Sequence, residues 1–403
     1  MTHTTSHYNA IVVGLGALGA ATLYQLAQRG ARVLGIDQHA PPHDLGSSHG
    51  ESRITRLAIG EGDAFVPLVQ RSHRIWRELE VRTGRQLLSQ TGGLILAPRN
   101  GIAAHHGKPD FLRRTIDCAE RFGIAHALLD APAIRTRFPQ FALQGDELGY
   151  FEPEAGFVRP EEAIAAQLEV AVASGAVVRN GERVLAVEPL GNGDTVAVQT
   201  EAGRFTADQV VVAAGPWLPA FLGRQARADW HANFGVYRQV MYWFDTGAAA
   251  ADFAPGRFPI FIWMFGDAQE DYMYGFPGAD AARPVLKVAT EQYEHTTTPD
   301  TLDRKVSAAE IEAMYRSRVE GRFPLIGGRA VKARACMYTV TPDRNFVVDA
   351  LDGAPNVLVA SACSGHGFKH SAGLGEAIAE RVLGRGTRHD LGAFARQRPA
   401  SAA

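Results

Sequence analysis

Gly14, Gly16 and Gly19 stand in a G-x-G-x-x-G spacing, and Asp37 follows the first of them by 23 residues. These residue types in this order suit a dinucleotide. The first glycine permits a tight turn, the second lets the backbone approach a pyrophosphate, and the third lets a helix pack against a strand. A helix beginning at the turn offers free N–H groups and a partial positive charge to phosphate. A carboxylate at the position of Asp37 can accept from a ribose hydroxyl. The spacing alone does not separate FAD from NAD.

Such a site needs a strand, a turn, a helix and a second strand, and the flanking sequence supplies them. Residues 10–13 (AIVV) form a short apolar run suited to a buried parallel strand. A helical pattern follows and stops at Gly30, and 32–36 (RVLGI) gives a second strand ending at Asp37. Residues 160–172 predict a helix with Pro160 and two glutamates in its first turn. Strands are expected at 176–179 and 183–188, with a hairpin turn through Gly191, Asn192, Gly193 and Asp194, and further strands at 209–213 and 356–362. A helix to about residue 383 follows the last of these. Residues 235–290 are dense in aromatics and suggest a second sheet. Nucleotide-type elements thus recur at the start, middle and end of the chain. The expectation is a two-domain α/β fold: a discontinuous Rossmann-like domain from 1–85, 150–220 and 325–390, a mainly antiparallel substrate domain from 86–149 and 221–324, and a tail at 391–403.

Composition narrows the class. The chain has 403 residues, 46% hydrophobic and 21% charged, enough apolar surface to offset ordering entropy. The 41 basic and 43 acidic residues leave a net charge of −2 with no basic block, which argues against nucleic acid or an anionic membrane as partner. Three cysteines (Cys118, Cys336, Cys363) are too few for a disulfide framework. No apolar run reaches the ~18 residues of a spanning helix, and the polar first ten residues carry no secretory pattern. A cytoplasmic protein is expected.

Three ordered segments carry a closer likeness. The first runs from Pro41 through Gly46-Ser47-Ser48-His49-Gly50-Glu51-Ser52-Arg53-Ile54-Thr55-Arg56 to Gly60-Glu61-Gly62; the others are Ala335-Cys336-Met337-Tyr338-Thr339 and Ser364-Gly365-His366-Gly367-Phe368-Lys369. Together with Tyr274-Gly275-Phe276-Pro277 and Tyr237-Arg238-Gln239-Val240, they resemble the monomeric sarcosine oxidase and N-methyltryptophan oxidase family of FAD-dependent amine oxidases. The resemblance spans about residues 8–395.

That resemblance implies FAD bound by a thioether from Cys336, where composition alone would favour a buried inert thiol. It implies that Arg56 and Lys369 hold a substrate carboxylate, through a guanidinium fork and a second point charge. His49 and Arg53 would lie against the flavin, Lys287 would face its reactive nitrogen through water, and Tyr274 and Tyr338 would wall the substrate pocket. Ser47, Val184, Gly365, Gly367, Phe368 and Lys369 would complete the cofactor site. No metal is expected. The implied reaction is oxidation of a secondary amine beside a carboxylate, with dioxygen reduced to peroxide, by a monomer. A dehydrogenase or a primary-amine oxidase on the same fold is the alternative. Two positions depart from the family pattern. Ser48 stands where many relatives have a second histidine, and Glu291 stands where sarcosine oxidases have a histidine four residues after the lysine. An anion there favours a substrate with a cationic or hydrogen-donating group, or forms an internal salt bridge.

Overall fold

The strand His7–Val13 (β1) lies between two parallel neighbours, Val33–Asp37 (β2) and Arg204–Val212. Ile11, Val12, Leu34 and Val211 are fully buried, as expected of strands covered on both faces. The chain leaves β1 at Gly14 (φ +87), where a Cβ would stand 2.6 Å from the Ala213 carbonyl oxygen. It enters the helix Ala17–Gln28 (α1), in which a Cβ on Gly19 would meet the Gly14 carbonyl oxygen at 1.7 Å. Only glycine fits either place. This computed structural model describes residues 6–191, 193–225, 228–268, 270–280 and 282–397.

The first eight-stranded sheet runs Val184–Leu190, Thr195–Thr200, Arg204–Val212, β1, β2, Val177–Asn180. Ala354–Ser361 pairs parallel with the far end of Arg204–Val212 and antiparallel with Val347–Leu351. α1 packs against Pro160–Ala173 and Ser371–Val382, the latter so closely that a Cβ on Gly375 would lie 2.6 Å from the Ala21 Cβ. The second eight-stranded sheet has the order Ala330–Val340, Gly235–Asp245, Val285–Ala289, Tyr272–Pro277, Ile260–Met264, Gly93–Pro98, Glu147–Glu152, Ala127–Leu129. Its pairs are antiparallel except Ile260–Met264 with Gly93–Pro98. A cluster including Phe141, Phe258, Phe261, Trp263 and Phe323 fills one side of it, which accounts for the aromatic density of the middle of the chain. A small third sheet, Arg53–Thr55 with Gly156–Val158 and Leu88–Ser89, carries Arg53.

Two expected boundaries change. The strand Glu147–Glu152, divided by the expected limit between 149 and 150, lies wholly in the second sheet. Residues 325–390 do not all join the nucleotide sheet, because Ala330–Val340 pairs along its length with Gly235–Asp245 in the second sheet, Cys336 opposite Gln239 and Tyr338 opposite Tyr237. An apolar run flanked by a nucleotide-type segment does not reveal which sheet it enters; the partner strand decides. Of the other expectations, Asn192 of the hairpin turn and residues 398–403 of the tail lie outside the described residues. Among the described residues no helix is long and apolar enough to cross a membrane.

Candidate active site

Two cavities meet inside the molecule. The first passes Gly14, Gly16, Asp37, Ser47, Val184 and Gly367. The second is lined by Arg56, Glu61, Tyr274, Glu291 and Lys369, with His105, His106 and His366. Arg53, Tyr338, Gly365 and Phe368 border both. Residues expected at a cofactor and residues expected at a substrate thus lie on either side of one junction.

The first cavity fits FAD. Besides the glycine turn, a Cβ on Gly367 would come within 1.6 Å of the Ala362 carbonyl oxygen, so the 364–367 loop is pressed as tightly as the Gly14 turn. The Asp37 carboxylate accepts from the backbone N–H of Leu15 (2.7 Å) and of His39 (2.8 Å) while facing the cavity. These bonds anchor it and leave lone pairs for a ribose. Ser47 Oγ, on the cavity lining, is buried without a partner, a polar group that a bound polar ligand could satisfy. His49 Nε2 is also buried without a partner, but His49 is not among the residues lining either cavity.

At the junction, Arg53 donates to the carbonyls of Ser47 (2.7 Å) and Ser52 (3.0 Å), which fixes its guanidinium beside the first cavity. Burial, with Arg53 and Lys287 close by, lowers the His49 pKa to about 3. His49 is therefore a neutral ring at ordinary pH, able to hydrogen-bond but not to supply charge. The Tyr274 and Tyr338 hydroxyls meet at 3.0 Å on the wall of the second cavity.

Lys287 borders neither cavity. Its ammonium donates to the Gly50 carbonyl (2.7 Å), the Ser52 carbonyl (2.8 Å) and Ser52 Oγ (3.0 Å), with the Phe276 ring centre 4.5 Å away. Burial, then Arg53, pulls its pKa well below the usual lysine value. It braces the loop that carries His49 and Arg53 from behind. Cys336 is buried among Met241, Trp243, Ala289 and Tyr338, and burial pushes its thiol up to about 11. Cys363, by contrast, borders the first cavity.

The second cavity has a charged wall that the sequence resolved only in part. Arg56, 2% exposed, donates from Nη2 to Glu61 Oε2 at 2.6 Å and from Nη1 to the Ala58 carbonyl, and its Nε has no partner. Lys369 donates to the His366 carbonyl (3.0 Å) and approaches Glu61 Oε1 at 3.5 Å. Burial, partly opposed by Glu61, lowers the Lys369 pKa to about 8. Burial alone would raise Glu61, but Arg56 and Lys369 outweigh it and hold the carboxyl well below the usual range. His106 then links Glu61 to Glu291, 3.1 Å from each, and Glu291 accepts from the Tyr293 hydroxyl at 2.6 Å. The two cations expected for a substrate carboxylate are brought together. Of the two readings of Glu291, the internal salt bridge is the one formed. Glu61, His105, His106 and Tyr293 were not foreseen. The adjacent pair His105-His106 before Gly107 was the available signal. His105, His106 and Glu291 have ligand-type atoms within 4.8 Å of one another, but both His106 nitrogens are engaged by carboxylates. The group is an ion-pair cluster.

The family model for FAD dependent oxidoreductases matches residues 9–381. The chain is 39% identical to a monomeric sarcosine oxidase of Streptomyces avermitilis, over 98% of each chain. It is 31% identical to an N-methyl-L-tryptophan oxidase of Salmonella dublin, over 96% of this chain and 98% of that one. Among solved structures, NikD, described as an unusual amino acid oxidase essential for nikkomycin biosynthesis, superposes with a TM-score of 0.81 over 98% of each chain at 22% identity, a likeness of fold. The chain belongs to the FAD dependent oxidoreductase family, in the group of the monomeric sarcosine oxidases and N-methyltryptophan oxidases.

Proposed function

We propose that this protein oxidises the secondary amine of an amino acid to an imine, while dioxygen is reduced to hydrogen peroxide. The substrate is sarcosine, another N-methyl amino acid, or a cyclic imino acid such as proline or pipecolate. The observation that carries this reading is the placement of Arg56 and Lys369, both buried, on the wall of a cavity that opens onto the nucleotide cavity at Arg53, Tyr338, Gly365 and Phe368. A protein that only stored a flavin would have no use for two buried cations facing a second chamber.

Arg56 and Lys369 bind the carboxylate and so orient the amine toward the junction. Tyr274 and Tyr338 wall the amine side and exclude water. The nearby cations Arg53, Arg56 and Lys369 disfavour an ammonium, so the amine reacts in its neutral form without a strong base. FAD, when bound, supplies the two-electron acceptor. Arg53 gives positive charge beside it, and His49 a neutral hydrogen-bonding group. Lys287, behind them, adds a cation for the oxygen reaction. The attachment of FAD through Cys336 is part of the same proposal. Its burial keeps the thiol protonated, so the reaction draws on a small thiolate fraction favoured by Arg53 and Lys287. A monomer is part of the same proposal.

The test is oxygen consumption and peroxide release by the FAD-loaded protein with sarcosine, N-methyl-L-tryptophan, L-proline and L-pipecolate, each beside its analogue lacking the carboxylate. Equal amounts of oxygen consumed and peroxide formed, from at least one acid and from none of the carboxylate-free amines, are expected. Turnover that ignores the carboxylate would refute the assignment; amine oxidation without peroxide would indicate a dehydrogenase.

A further inference from the structure

His106 has no part in the amine chemistry above, yet it sits in the wall of the substrate cavity. It lies in the loop between Gly93–Pro98 and Phe111–Phe122, buried, with its backbone in the left-handed region (φ 50) that residues other than glycine rarely adopt. Nδ1 is 3.1 Å from Glu61 Oε1 and Nε2 is 3.1 Å from Glu291 Oε1. An ionised carboxylate accepts hydrogen bonds and cannot donate them, so a ring bonded to two such groups carries a hydrogen on both nitrogens. Glu61 is kept ionised by Arg56 and Lys369. Glu291 is kept ionised chiefly by His106 itself, against the effect of burial.

The groups facing His106 come from four segments. They are Arg56 and Glu61 on one, Glu291 and Tyr293 on another, His366 (ring 5.1 Å away) and Lys369 on a third, and its neighbour His105 (3.8 Å) with Tyr272 beyond it. Burial keeps His105 and His366 neutral, the latter at about 3. The cluster then holds three positive groups, Arg56, Lys369 and His106, against two negative ones, Glu61 and Glu291. Arg53 borders the same cavity, so the wall is positive overall and can receive a carboxylate. With His106 neutral, one of those positive charges is gone and Glu61 and Glu291 each lose a partner beside the entering carboxylate, which weakens its binding.

We infer that His106 is a positioning residue whose proton is required for tight binding of the substrate's carboxylate. The inference rests on the proposed function and adds a proton to its carboxylate site.

The test uses FAD-loaded protein and 2-furoate, a carboxylate with no titrating amine, followed by the flavin absorbance change from mildly acidic to mildly alkaline pH. The wild-type Kd is expected to be flat on the acid side and then to rise by up to about tenfold per pH unit, as one linked proton requires. His106→Gln should bind at least about tenfold more weakly at acid pH and lose that rise. Glu291→Gln, which keeps the shape, should move the rise to lower pH because His106 loses a carboxylate partner. A rise unchanged in His106→Gln would assign the proton to Lys369 and overturn the inference, as would a rise unmoved in Glu291→Gln. If wild type binds 2-furoate equally at all pH values, His106 is wrong and the carboxylate site stands. If it binds at none, the proposed function fails as well.

Discussion

Arg56 donates to Glu61 across 2.6 Å, with each side chain only 2% exposed. The cation that faces the second cavity thus already holds a carboxylate of the protein's own. Removing it has two separable effects. Arg56→Ala leaves Glu61 a poorly compensated buried charge, which should cost about 3–5 kcal/mol of stability. Arg56→Ala and Lys369→Ala should each weaken binding of a substrate-like carboxylate by ~2–5 kcal/mol, about 30-fold or more. Urea unfolding and inhibitor titration measure the two effects independently, and flavin content should change little. Wild-type affinity in both variants would remove the carboxylate from the substrate's description.

The proposed thioether at Cys336 is open to a chemical test. Acid precipitation of loaded protein should leave yellow flavin in the pellet, and the intact mass should exceed that of the chain by one FAD. Cys336→Ala should release the flavin to the supernatant. If the pellet from wild type is colourless, the flavin is held by contacts alone; if Cys363→Ala releases it instead, the cysteine bordering the first cavity is the attachment point.

Lys287 lies behind the Gly50–Ser52 backbone, where three hydrogen bonds and two aromatic rings fix its ammonium. A positive charge in weakly screened surroundings stabilises the superoxide formed in the first electron transfer to oxygen. Lys287→Met keeps the bulk and removes the charge. Reoxidation should slow by about 10²–10³-fold, equivalent to ~3–4 kcal/mol, while reduction by the amine changes much less. Stopped flow separates the two half-reactions. Unchanged reoxidation would shift the role to Arg53.

Stability should fall on mild acidification. Burial lowers His49 to about 3, His73 to about 4 and His366 to about 3, from an ordinary value of 6.5. Between 6.5 and those values the unfolded chain takes up protons that the folded chain refuses, so the stability present above 6.5 is lost as pH falls. Each group contributes on the order of 1.4 kcal/mol per pH unit. His106, raised by Glu291 and Glu61 against burial, acts with the opposite sign. Its contribution is complete below 6.5 and disappears as pH rises through its folded value. Urea midpoints at pH 7 and pH 5 should therefore differ markedly, and a flat profile would mean that these rings are solvated or already charged.

The nucleotide half was legible because its demands are local. A turn that leaves no room for a Cβ at Gly14 or Gly19 writes itself as glycine, and an acceptor one strand later writes itself as Asp37. Lys287 could be singled out by the family resemblance, but not its direction, which depends on carbonyls 235 and 237 residues away. His106 could not be placed at all. Its partners are 45 and 185 residues distant, and no spacing rule joins them. The sheet membership of Ala330–Val340 was hidden for the same reason, since pairing with Gly235–Asp245 is a long-range choice.

In the proposed reaction an amino-acid secondary amine delivers two electrons to the flavin and oxygen takes them away. The most direct measurement mixes loaded protein anaerobically with each N-methyl and cyclic amino acid, records the flavin absorbance, and then admits oxygen. At least one of these acids should bleach the flavin fully, and oxygen should restore the colour with one peroxide formed per flavin. A flavin that stays oxidised with every secondary amino acid, yet bleaches with a primary amino acid or with an amine lacking a carboxylate, would contradict the account.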